Sequence, residues 1–139
     1  MTGFVLRRTL TVEWGDCDPA RIVFYPNYFA WFDELTLALF AARGLPLTAL
    51  QSERGMLGLP LVDAHASFRS TAAYGDRLDA ETGVAEWRRT SFKVRHLLAR
   101  DGTPIVEGEE IRIWAMPDPQ DPKRIRPTEI PDDVKARFA

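Results

Sequence analysis

The stretch from Pro26 to Arg43 constrains this chain more than any other segment. Tyr28, Phe32, Leu35, Leu39 and Ala42 recur at helical spacing, and Phe29, Thr36 and Phe40 line an adjacent stripe. Apolar residues therefore cover much of the circumference, and such a helix must be enclosed on several sides. Pro26 suits the first helical turn, where its missing N–H costs nothing. Gly44 is the natural stop, with Pro46 behind it.

The rest of the chain supplies strands to enclose it. Phe4 to Trp14 alternates, with Phe4, Leu6, Leu10, Val12 and Trp14 facing one way. A turn-rich stretch around Glu53-Arg54-Gly55, Gly58 and Pro60 follows the helix. Strands are then expected over Leu61 to Ser70 and Leu78 to Arg88. A third carries Phe92, Val94, His96 and Leu98 on one face, and the last runs from Ile105 to Met116. Arg100-Asp101-Gly102-Thr103 reads as a hairpin turn, because Asp-Gly tolerates the positive φ such turns need. Five of the ten prolines lie between Pro117 and Pro131, which reads mostly as loop. Val134 to Phe138 suits a short final helix. At 139 residues the expectation is a single α+β domain over residues 1–139, one curved antiparallel sheet around one long helix.

A formal net charge of -2 gives no global argument for a nucleic-acid or anionic-membrane partner. No apolar run is long enough to span a bilayer, and Met1 to Arg8 lacks the apolar core of a signal peptide. The one cysteine, Cys17, forms no intrachain disulfide and fits a reducing compartment. A soluble, cytoplasmic protein is expected.

Candidate chemistry concentrates between Trp14 and Asn27. Asp16 and Asp18 sit in a tight polar turn, and Ile22-Val23-Phe24-Tyr25 runs from it into the helix start at Pro26. That places an acid beside a helix N-terminus, where unpaired backbone N–H groups can hold a developing negative charge. A base or nucleophile facing an oxyanion site is the minimum equipment for acyl transfer. By spacing alone, both acids could equally be Asx-turn residues that shape a loop.

Asp33, on a largely apolar helix, either has a buried partner or complements the helix dipole at a solvent gap. Arg88-Arg89-Thr90-Ser91 lies where one strand ends and the next begins, and such arginines either meet phosphates or stay solvated. His65 and His96 read as polar strand residues far from the acids. Two His and one Cys give no metal-ligand spacing. Gly-x-Ser-x-Gly and a phosphate-binding glycine loop are absent. Cys17 lies between two acids that disfavour its thiolate, which argues against it as nucleophile.

Taken together, Trp14-Gly15-Asp16-Cys17-Asp18-Pro19-Ala20, Ile22-Val23 and Tyr25-Pro26-Asn27-Tyr28 resemble the 4-hydroxybenzoyl-CoA thioesterase branch of the hotdog-fold thioesterases. The similarity continues in register through Glu53-Arg54-Gly55, Ala66-Ser67-Phe68, Glu86-Trp87-Arg88-Arg89, Ser91-Phe92, Glu110-Ile111-Arg112 and Met116. Pro26 stands where related short-acyl enzymes usually carry His, which favours the aryl branch.

The resemblance implies a hotdog fold and a homo-oligomer whose subunits join their sheets. Active sites would lie at the subunit interface, with dimers often pairing into tetramers. It implies hydrolysis of an aryl-CoA, 4-hydroxybenzoyl-CoA or a close relative, without a metal or cofactor. Asp18 matches the catalytic carboxylate, as nucleophile or general base, and the backbone N–H of Tyr25 the group that polarises the thioester carbonyl. Asp33 matches an acyl-pocket residue able to meet a ring hydroxyl. Arg88, Arg89 and Ser91 match positions that meet the CoA nucleotide, and Arg126 is placed with them.

Two positions depart from the pattern. Arg21 stands where the branch usually has Gly, and Leu59 where the hydroxybenzoyl enzyme has Thr, giving a more apolar pocket wall. Two other readings stay open: a thioesterase for short or branched aliphatic acyl-CoA, and a non-catalytic acyl-CoA binding module.

Overall fold

The computed structural model describes residues 3–139. Strand β1 (Val5–Thr11) leads through a 3-10 turn (Trp14–Asp16) to the long helix α1 (Pro26–Ala42), and a short helix α2 (Leu47–Ser52) follows. Next come β2 (Leu61–Phe68), β3 (Arg77–Trp87), β4 (Ser91–Arg100) and β5 (Thr103–Ile113). Short strands β6 (Ala115–Pro117) and β7 (Ile125–Pro127) pair as a ribbon, and α3 (Asp132–Ala136) follows. The five long strands form one antiparallel sheet in the order β1-β3-β4-β5-β2.

The alternation expected for β4 holds: Phe92, Val94, His96 and Leu98 are buried. Leu78, Ala80, Thr82 and Val84 of β3 are buried too, as are Tyr28, Phe32, Leu35, Thr36, Leu39 and Phe40 of α1. Register shifts near Asp63, Glu86 and Ala99 interrupt the ladders, and bulges of this kind bend a strand and increase its twist. At the C-terminus of α1, Gly44 takes φ +76° and Leu45 N–H reaches back to Phe40 O, a left-handed cap. In the β4–β5 hairpin, Asp101 and Gly102 both take positive φ, as a type I′ turn requires.

Four elements differ from expectation. The first strand ends at Thr11, and Trp14 turns outward, 73% exposed, edge-on to Tyr74. The cause is local: Asp16 Oδ2 captures Glu13 N–H at 2.8 Å, and Asp16 N–H bonds Glu13 O, in competition with strand pairing. The last long strand breaks at Trp114, whose N–H crosses to Thr90 O at 2.8 Å. Strand β7 lies within the proline-rich stretch expected as loop. Helix α2 is too short for periodicity to reveal, and Leu50 is its one buried residue.

Two apolar groups flank the helix. One gathers around Leu39, Phe40, Phe92 and Val94, the other around Tyr28, Phe32, Leu35 and Leu98. A polar band runs between them. His65 and His96 both lie on strands, as expected, but His96 is wholly buried. Its Nδ1 shares a hydrogen bond with Thr82 Oγ1 (2.8 Å), and its Nε2 meets Glu110 Oε1 at 2.9 Å. Thr36 of α1 donates to the same oxygen. Arg112 Nη2 donates to Glu110 Oε2 at 2.6 Å. Among the described residues, no buried side-chain nitrogen or oxygen lacks a partner.

The Phe32 ring stacks on His96 with centroids 4.6 Å apart. Gly108 lies opposite His96 in β5 and makes room for that ring. A Cβ there would overlap the Phe32 ring, with even Cδ2 at only 3.0 Å. Gly108→Ala therefore costs about 1–3 kcal/mol through overpacking; an unchanged urea midpoint would refute the close seat of Phe32.

Burial pushes the Glu110 carboxyl up, but hydrogen bonds from His96 and Arg112, the Arg112 charge and the Thr36 hydroxyl outweigh it. The group is held at about 2, below its ordinary 4.5. A carboxylate lowered in the folded state stabilises fully above its unfolded value, and that share is lost as pH falls toward the folded value. Melting temperature should thus drop between pH 4.5 and about 2. Glu110→Gln should flatten part of that slope and cost about 3–5 kcal/mol at neutral pH, since it breaks a buried charge pair.

Candidate active site

The loop between β1 and α1 folds as a miniature hairpin. Phe24 N–H bonds Asp16 O (2.8 Å), Cys17 bridges Val23, and Asp18 N–H bonds Ile22 O (3.0 Å). The tip closes with Arg21 N–H on Asp18 O at 2.8 Å. Asp18 Oδ1 accepts Ala20 N–H at 2.8 Å, an Asx turn. One carboxylate oxygen therefore shapes the loop, while Oδ2 has no hydrogen-bond partner among the described residues. Arg21 takes φ +68° at the exit of this turn, where glycine is favoured. The chain keeps that left-handed path with arginine, at a cost of about 1–2 kcal/mol. Asp16 is structural: its side chain holds Glu13 N–H, and its carbonyl takes Asn27 Nδ2 at 2.8 Å. Cys17 is half-buried, with Sγ 3.8 Å from Glu13 O.

Tyr25 caps α1 with no side-chain hydrogen bond to the helix end. Pro26 has no N–H. Asn27 N–H is taken by Phe24 O (2.9 Å) and Tyr28 N–H by Tyr25 O (3.1 Å). The Tyr25 N–H is the helix-start amide left without an acceptor among the described residues. A spare donor at the positive end of a helix is an anion site, three rungs of hairpin from Asp18.

Two clefts accompany these groups. One, of about 740 Å³, opens beside Asp18 between Trp14, Cys17, Arg21 and Tyr74, and does not extend to Tyr25. The other, of about 370 Å³, brings together Asp33, Leu37, Leu57, Leu59 and Arg112. Asp33 has both a solvent-facing side and a buried partner: its side chain lines the cleft and is 57% exposed, and its Oδ1 takes Arg112 Nη2 at 2.8 Å. Leu59 is buried, and its carbonyl accepts Arg112 Nη1 at 2.8 Å.

Arg88, Arg89 and Ser91 lie at the β3–β4 turn. Arg88 is exposed and pairs with Glu86 (Nε–Oε1 3.2 Å), holding that carboxyl below its usual range. Arg89 O accepts Ile130 N–H, and Thr128 N–H bonds Trp114 O, both at 2.8 Å. These ties bring β7, and with it exposed Arg126, to the same end of the sheet. Asp18 is at the opposite end, where Val23 N–H bonds Ala72 O just before β3 begins. β3 spans 11 residues, so roughly 33 Å separates the two ends. A single chain does not bring Asp18 and the arginines together.

Two residues at this site went unassigned by sequence reasoning, Glu110 and Arg112. The signal was available: with Gly108 they fall on the inward face of β5, where charge is costly. Among the described residues, no group of three or more His, Cys, Asp or Glu could hold a metal ion, and no helix is long and apolar enough to cross a membrane.

Residues 12–138 match the family model of the thioesterase-like superfamily. The 4-hydroxybenzoyl-CoA thioesterase of Pseudomonas sp. (strain CBS-3) is 43% identical over 128 residues, covering 88% of this chain and 89% of that protein. The 1,4-dihydroxy-2-naphthoyl-CoA hydrolase of Synechococcus elongatus is 28% identical over 102 residues, covering 73% and 75%. A crystal structure of an aspartate-to-asparagine mutant of 4-hydroxybenzoyl-CoA thioesterase, complexed with 4-hydroxybenzoyl-CoA, superposes with TM-score 0.90. It is 38% identical and covers 97% of this chain and 99% of that one. With its helix wrapped by an antiparallel sheet and its acid turn set at the helix start, this chain belongs to the thioesterase-like superfamily, as a hotdog-fold member of the 4-hydroxybenzoyl-CoA thioesterase family.

Proposed function

We propose that this protein hydrolyses an aryl-CoA thioester, 4-hydroxybenzoyl-CoA or a close relative, to the free acid and CoA. The carrying observation is the unpartnered oxygen of Asp18 on the same short hairpin that leads into the unused Tyr25 N–H, in a chain similar to an enzyme of that name. Asp18 Oδ2 attacks the thioester carbonyl carbon to give a mixed anhydride, or takes a proton from the water that attacks it. The carbonyl oxygen gains charge as the tetrahedral centre forms, and the Tyr25 N–H and the helix dipole stabilise it there. The CoA thiolate departs without needing a strong acid; on the nucleophilic route water then hydrolyses the anhydride, releasing the free acid and restoring the Asp18 carboxylate.

The cleft of Asp33 and Leu59 takes the acyl group, and Arg88, Arg89, Ser91 and Arg126 meet the nucleotide. The 33 Å gap within one chain is closed by a second copy. Strand β2 is an edge strand with exposed Leu61, Val62 and Phe68. A two-fold pairing of β2 with its partner puts the Phe68 end of one subunit beside the Leu61 end of the other. Tyr25 packs against Phe68, with centroids 6.4 Å apart, and Leu59 directly precedes β2. The pairing therefore sets Asp18 and Tyr25 of one subunit against Leu59, Asp33 and the arginines of the partner subunit. Two such dimers make the tetramer we propose. Cys17, the one cysteine of the chain, suits a reducing compartment, and we place the enzyme in the cytoplasm.

Thiol release from aryl and straight-chain CoA thioesters tests the reaction. Benzoyl-type thioesters should lead in kcat/KM, and Asp18→Asn should cut kcat by at least ~100-fold while a non-hydrolysable CoA thioether still binds. Wild-type turnover in that variant removes Asp18 from the chemistry, and a straight-chain substrate in the lead replaces the aryl assignment with the aliphatic one.

Mixing tests the shared site. Asp18→Asn and Leu59→Trp should each be inactive as homo-oligomers, but co-expressed they should recover about a quarter of wild-type activity. Half of randomly mixed dimers then carry one intact site of two. No recovery, with heterodimers verified by mass spectrometry, would place both groups in one chain.

A further inference from the structure

Arg112 runs from the polar band of the core to the wall of the cleft. We propose that it is a positioning residue, holding Asp33 so that the cleft prefers an acyl group bearing a hydrogen-bond donor. The inference rests on the acyl-pocket reading of the Asp33–Leu59 cleft given above.

The guanidinium has little freedom. Its side chain is 5% exposed. Nη2 donates to Glu110 Oε2 (2.6 Å) and to Asp33 Oδ1 (2.8 Å), Nε lies 3.4 Å from Glu110 Oε1, and Nη1 donates to Leu59 O (2.8 Å). Glu110 is in turn pinned by Thr36 of α1 and His96 of β4. The planar fork is thus fixed from behind by three elements, and from the front it ties together both walls of the cleft. A lysine could satisfy one of these acceptors but not the set.

The fork decides what Asp33 can do. Oδ1 is occupied by Arg112, and Oδ2 has no hydrogen-bond partner among the described residues, on a side chain that lines the cleft and is largely exposed. A carboxylate paired with a guanidinium has only acceptor capacity left. A hydroxyl or amino substituent can donate to Oδ2, whereas a halogen of similar size leaves it unpaired. The tether to Leu59 O holds a second residue that lines the same cleft. Arg112 never meets the acyl group in this arrangement; it acts through Asp33 and the Leu59 carbonyl.

The test compares kcat and KM for 4-hydroxybenzoyl-CoA and 4-fluorobenzoyl-CoA in the wild-type enzyme, Asp33→Ala, Arg112→Lys and the double variant Glu110→Gln with Arg112→Met. The double variant leaves no stranded carboxylate in the core. Wild type should favour the hydroxyl substrate in kcat/KM by about 10–100-fold, the worth of one hydrogen bond to a charged group. Both Arg112 variants should erase most of that ratio, as Asp33→Ala should, the hydroxyl substrate losing more than the fluoro substrate and chiefly through KM. A ratio lost in Asp33→Ala but kept in folded Arg112 variants overturns the role of Arg112 and leaves the cleft reading standing. An unchanged ratio in Asp33→Ala overturns both. An equal loss for the two substrates assigns Arg112 a purely structural role and also overturns the proposal. Wild type alone gives an arm that needs no folded variant: 4-aminobenzoyl-CoA must side with the hydroxyl substrate, and parity of the fluoro substrate with both sinks the idea.

Discussion

Glu110 is the carboxylate on which the arrangement of this molecule turns. It lies 2% exposed beneath α1 and takes donors from Thr36 on the helix, His96 on β4 and Arg112 on its own strand. Against an apolar replacement of equal volume, such a buried set contributes little net stability. It does penalise misalignment. The two apolar groups on either side would tolerate a helix shifted or rotated by one residue, since leucines and phenylalanines repack. Thr36 would not: a shift of one position moves its hydroxyl off Glu110 and strands a charge in a dry interior. Phe32, seated over Gly108 and stacked on His96, adds a steric lock at the same level.

That fixed rotation is what gives the candidate site groups their places. With Thr36 turned into the band, Asp33, three residues earlier and most of a turn around, comes out at the flank of the sheet where Arg112 emerges. The same helix presents Tyr25 at its start, where Phe24 and Tyr25 carbonyls already serve the next amides and one donor is left over. The small hairpin of Asp16 to Phe24 then carries Asp18 at its tip, three rungs from that donor, and Ala72 holds the hairpin to the sheet through Val23. The left-handed Arg21 is the local cost of that route.

Much of this was legible in the sequence, for physical reasons that differ from element to element. The helix and β4 were read correctly because burial imposes a period, 3.6 or 2, that side-chain chemistry displays. The Asp-Gly hairpin was legible because its φ angles select its residues. Where local hydrogen bonds prevailed over periodicity, the reading failed: Asp16 captured Glu13 and ended β1 early, and Trp114 left the sheet for Thr90. Asp33 could be flagged but not placed, because its partner lies 79 residues away on β5. Glu110 and Arg112 alternate inward in plain view, yet a charged pair on a buried face makes sense only once its third and fourth partners are known. Asp18 has the opposite character. Its turn is entirely local, and for that reason its neighbourhood was readable while its distance from Arg88 and Arg89 was not.

That distance bears on why such a site would use two subunits. A sheet of five strands can curl around a helix but cannot fold its two ends together, and the acid turn and the arginine turn occupy those ends. Bending the sheet further would break the ladders that hold β3, β4 and β5, and would pull Glu110 off Thr36. A two-fold axis along the β2 edge achieves the same meeting with no deformation, since antiparallel pairing reverses one copy end for end. In the proposed dimer it would also cover Leu61, Val62 and Phe68, exposed apolar side chains on an edge strand whose backbone would otherwise invite unspecific pairing. A long rigid sheet with the candidate groups at both ends would thus also supply the edge through which the proposed second chain completes the site.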